Sequence, residues 1–125
     1  MEDQLVSLEV SQLAKEKGFN IYTKAWYYGD SLVEYGKNGI REMYQNNTVP
    51  DCTSAPTQSL LQKWLRDVHE IDITVMILEA NGYKVYVHQK RNILDSRGIT
   101  IHPKYDKVTF ETALEAGLLY ALNKI

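Results

Sequence analysis

Between residues 57 and 69 the apolar positions keep the spacing of a helix, and immediately afterwards they switch to the spacing of a strand. Leu61, Trp64, Leu65 and Val68 fall at i, i+3, i+4 and i+7, with Gln62, Lys63, Arg66 and Asp67 on the opposite side. Thr57 after Pro56 supplies a helix cap. Ile71, Ile73, Val75 and Ile77 then alternate with Asp72, Thr74, Met76 and Leu78. The polar partners fade along that run, which predicts a central strand covered on both faces. Asn81-Gly82 is a strong hairpin signal, since both residues tolerate positive φ. The returning strand places Tyr83, Val85 and Val87 on one face and Lys84, Tyr86 and His88 on the other.

The flanks follow the same logic. Ser7 caps a short helix to about Lys17, with Val10, Leu13 and Ala14 as its stripe, Gly18 as a left-handed stop and Phe19 packing back. Residues 20–28 read as an aromatic strand that puts Tyr22, Lys24, Trp26 and Tyr28 on one face. Gly29-Asp30 turns it into a return strand at 31–36. Residues 37–53 are irregular, punctuated by Asn, Gly and Pro. Residues 99–102 add a short edge strand before Pro103. Thr109 caps a closing helix whose apolar face runs from Phe110 to Ile125. Gly117 interrupts that face at a cost of about 1 kcal/mol relative to Ala, which implies close approach to the sheet.

This order, αββ(loop)αββ(β)α, predicts an α+β fold in one domain, residues 1–125. Its mostly antiparallel sheet has four to five strands, with three helices packed against it. The closing αβββα order resembles, as a topology, that of double-stranded RNA-binding folds.

A chain of 125 residues buries enough surface to fold without disulfide or metal, and Cys52 is its single cysteine. No apolar run reaches the roughly 18 residues of a membrane span. MEDQLVSLEV opens with acids, so the expectation is a cytoplasmic protein. Residues 84–107 hold six bases against two acids, a net of +4, which leaves −6 on the rest of a chain whose total is −2. A basic segment on an acidic body steers anionic partners when its charges share a face.

No catalytic constellation stands out. Cys52 follows Asp51, and an adjacent acid raises rather than lowers a thiol pKa. His69, His88 and His102 sit at no metal-ligand spacing, and His69 falls where a helix C-terminus favours its protonated form. Gly36 and Gly39 precede Ile-Arg rather than the Lys-Ser of a phosphate loop. The reading is therefore a protein that is not an enzyme and uses no cofactor and no metal. The strongest binding candidates are aromatic. Tyr22, Trp26 and Tyr28 suit either a stacking or contact platform or a sheet core beneath helices.

Two blocks, SAPTQSLLQKWLRDVHEI at 54–71 and VTFETALEAGLLYALNKI at 108–125, resemble the signature of an uncharacterised family of small proteins of bacterial phages, prophages and related mobile elements. The aromatic hairpin at 20–36 agrees loosely. The resemblance implies an accessory role in an infected or lysogenic cell and supplies no activity. The functional expectation is binding to a host or phage protein or self-association. Tyr22, Trp26 and Tyr28 are its anchors, with Lys90, Arg91 and Arg97 as an electrostatic rim. The alternative is a nucleic-acid-binding module using segment 84–107.

Overall fold

The computed structural model describes residues 4–34, 51–77, 82–89, 97–101 and 109–125. They form an α+β protein with antiparallel sheets and, among the described residues, three helices. The chain divides into two compact units, Met1–Thr57 and Gln58–Ile125.

In the first unit, helix α1 spans Leu8–Glu16, and the Ser7 hydroxyl accepts the Val10 N–H at 3.2 Å as its N-cap. The helix ends in a Schellman motif. The Phe19 N–H reaches the Ala14 carbonyl at 2.9 Å and the Gly18 N–H reaches Lys15 at 3.1 Å. Gly18 takes φ +95°, and Phe19 is buried, as the sequence anticipates. Strands β1 (Ala25–Tyr28) and β2 (Ser31–Glu34) form a hairpin with Tyr28 opposite Ser31. The positive φ of its two-residue loop falls on Gly29, which has no Cβ to clash. The other side of β1 pairs with β3 (Cys52–Ser54), giving the order β2-β1-β3. Helix and sheet are tied by Lys15 Nζ, which donates to the Cys52 carbonyl at 3.0 Å, and by Tyr27 OH, which donates to Val6 at 3.2 Å.

The second unit runs α2 (Gln58–His69), β4 (Ile71–Ile77), β5 (Tyr83–Gln89), β6 (Arg97–Ile101) and α3 (Phe110–Asn123). This is the anticipated αβββα order. Thr109 caps α3 by accepting the Thr112 N–H at 3.1 Å. The strands lie antiparallel in the order β4-β5-β6. Ile73 and Val87 pair across β4 and β5, as do Val75 and Val85. Helix α3 packs on β4 and β5 and also against α2. Buried Gln58 joins the helices by donating to the Glu111 carbonyl at 2.8 Å and to Glu115 Oε2 at 3.0 Å. At Gly117 the helix touches the sheet, because a Cβ there would lie 2.6 Å from Val85 Cγ1 and 3.0 Å from Ile73 Cγ2. The interrupted apolar face is thus explained by close approach.

Several expectations need correction. Among the described residues the strands divide between two sheets of three rather than sharing one of four to five. Within those residues β4 pairs with β5 alone and β5 is the central strand, and Met76, where the polar partners begin to fade, is 49% exposed rather than covered. Gln62, placed outward by the helical pattern, donates its Nε2 to the Ile73 carbonyl at 2.8 Å. Val68 and Phe110, assigned to apolar stripes, are exposed. Residues 20–24 precede the strand, which begins at Ala25, and Cys52 lies buried in a strand rather than in a loop. The irregular reading of 37–50 and most of the 89–98 connection lie outside the described residues.

At His69 burial acts against the charge that the helix end favours. Its Nε2 is buried without a hydrogen-bond partner, and its ring meets Trp64 edge-on with centroids 4.8 Å apart. Burial pushes its pKa below the usual 6.5.

Three outcomes follow from this packing. Gly117→Ala gains about 1 kcal/mol of helix propensity but overpacks Val85 and Ile73 by about 1–3 kcal/mol, so urea denaturation should give a lower midpoint. Ser11→Ala, in contrast, removes a fully buried hydroxyl with no partner and should raise stability by about 1 kcal/mol. For His69 the folded state binds its proton less readily than the unfolded chain. The stabilisation is therefore complete above the unfolded pKa of about 6.5 and is lost as pH falls from there through the lower folded pKa. Urea midpoints taken at neutral and mildly acidic pH should converge in His69→Gln relative to the parent.

Candidate binding surfaces

The aromatic strand separates into exposed and buried rings. Tyr22 and Tyr28 are 62% and 59% exposed, whereas Trp26 is 4% exposed. Trp26 and Tyr28 share one face of β1 by alternation, but Trp26 stands opposite Ser54 and Val33 at the covered end of the ribbon. Tyr28 lies at the hairpin tip, and Tyr22 precedes the strand. Trp26 is therefore a core residue of its sheet and presents no surface to a partner. Leu32 on β2 is 45% exposed, and Ile21 is also exposed. Four large apolar or amphipathic side chains within residues 21–32 thus face solvent.

The basic rim cannot be assembled as a unit. Lys90 and Arg91 lie outside the described residues, and Arg97 begins β6 opposite Val87 in the register.

The second sheet presents a different surface. With Val85 and Ile73 beneath Gly117, strand alternation turns Lys84, Tyr86 and His88 of the central strand to the face away from α3. Their cross-strand neighbours on β4 are Met76, Thr74 and Asp72 respectively. Met76 is 49% exposed, and Lys84, Tyr86 and His88 are half-buried. Lys84 Nζ lies 5.1 Å from the centre of the Tyr86 ring, within cation–π range. Asp72 is engaged by Arg66, whose Nε donates to Oδ1 at 2.8 Å. This triad was visible in the sequence as alternation on one strand. Its standing as a surface depended on which face the helices cover.

At the end of the same sheet, Ile71, Val87, Gln89, Tyr120 and Lys124 line a small open depression. Lys124 Nζ lies 5.1 Å from the Tyr120 ring centre. The lining offers an apolar floor, one amide, one phenol and one cation, without a carboxylate or imidazole for proton transfer.

Cys52 is buried within the first unit, His69 and His88 belong to the second, and His102 lies outside the described residues. No group of three or more His, Cys, Asp or Glu side chains gathers at metal-binding distance among the described residues. No helix among them is long and apolar enough to cross a membrane. Comparison with protein-family models, curated proteins and solved structures finds no match to this chain.

Proposed function

We propose that this is a non-enzymatic accessory protein that works by contacting another protein, or a second copy of itself, through the aromatic hairpin of its first unit. The observation that carries this reading is the exposure of Tyr22, Tyr28 and Leu32 within one short stretch of chain. Tyrosine offers broad apolar area at low conformational cost together with a hydroxyl that tolerates water. This is why it is favoured at contacts that must exist both free and bound. Strands β1 and β2 are only four residues each, too short for backbone pairing to supply much affinity, so side chains must carry the contact. Trp26 braces the ribbon from within and does not take part directly. The resemblance of residues 54–71 and 108–125 to mobile-element proteins gives the setting, the cytoplasm of an infected or lysogenic bacterium, with a host or phage protein as the partner.

The contact is tested by analytical ultracentrifugation over two decades of concentration and by affinity capture from a lysogenic host. The double variant Tyr28→Ser/Leu32→Asp should abolish self-association or capture of a specific protein while leaving the thermal midpoint nearly unchanged. Trp26→Ala should instead lose about 3–5 kcal/mol of stability, as expected for a large buried ring. A parent chain that stays monomeric and captures nothing specific would remove this reading.

A further inference from the structure

We infer that the outer face of the β4-β5-β6 sheet binds single-stranded nucleic acid. Tyr86 is the stacking ring, and Lys84 and His88 are its backbone contacts. The surface belongs to the second unit and is independent of the hairpin contact. Three residue types with the required chemistry stand in line on the central strand. A π face accepts any base, while a cation and an imidazole on either side meet phosphate or sugar oxygens. Tyr86 pairs in register with Gly98 on β6 and Thr74 on β4. One flank of the ring therefore adjoins a residue without a side chain and the other adjoins an exposed, small hydroxyl residue. Lys84 occupies the ring in the absence of ligand, at 5.1 Å. A stacking base would take its place and free the ammonium for a phosphate.

Charge favours the same partner. The face carries Lys84 and His88, and its acid, Asp72, is already held by Arg66. Stacking selects the strandedness: a base that lies on the Tyr86 ring must leave its own stack, which a single strand allows freely and a duplex does not.

Fluorescence anisotropy of the full chain with labelled oligouridylate and oligothymidylate tests the inference, with a duplex of equal length alongside. The single strands should bind at low salt and weaken as salt rises. Tyr86→Ala should weaken binding about tenfold or more, whereas Tyr86→Phe, which keeps the π face, should bind like the parent. Lys84→Gln should lower the slope of log affinity against log salt by roughly 0.7, the share of one single-strand phosphate. Tyr86→Leu keeps apolar bulk without a stacking face and serves as the test if circular dichroism shows that the alanine variant has unfolded. It should lose affinity to the same extent. The Tyr28→Ser/Leu32→Asp variant should bind nucleic acid unchanged, which separates failure of this surface from failure of the hairpin. Absence of binding to both oligonucleotides at low salt, preference for the duplex, or unchanged affinity in folded Tyr86→Ala or Tyr86→Leu would overturn it.

Discussion

The second unit depends on the closeness of α3 to its sheet at Gly117. With a Cβ there only 2.6 Å from Val85 and 3.0 Å from Ile73, any other residue at that position would force those side chains or the helix to shift. That contact selects which sheet face is the core. Because strand side chains alternate with period two, committing Val85 and Ile73 to the helix commits Lys84, Tyr86 and His88 to the opposite side. One missing methyl group in a helix thus decides where the charged and aromatic residues of the neighbouring strand are displayed.

Polar side chains complete the frame where backbone pairing ends. Paired with β5 alone among the described residues, β4 leaves backbone groups beyond that ladder, and such a row invites unwanted strand pairing unless it is blocked. Gln62 from α2 occupies the Ile73 carbonyl, and Arg66 from the next turn of the same helix holds Asp72. Gln58 does the corresponding work between the helices. These residues look like the solvent face of an amphipathic helix. Their length lets them reach past the apolar stripe to the strand beside it.

His69 shows two local effects in competition. A helix C-terminus favours a cation there, while burial of the ring against Trp64 disfavours one and lowers its pKa. Trp26 and Tyr28 tell a parallel story on β1. The same alternation places both on one face, but only the ring at the covered end is removed from solvent.

The chain by itself determined what depends on neighbours a few residues away. This includes the Ser7 and Thr109 caps, the Gly18 stop, the Gly29-Asp30 hairpin, the alternation of β5 and the αβββα succession. These are settled by bond rotation, capping hydrogen bonds and side-chain period, all of which act locally. Tertiary structure alone decided that the described strands form two sheets and not one, that β5 is the central strand of its three, that residues 52–54 pair with β1, and that Trp26 is covered while Tyr22 and Tyr28 are not. Each of these turns on partners distant in sequence. An alternating pattern records that one face of a strand is covered, without recording whether a helix, another strand or a partner molecule does the covering.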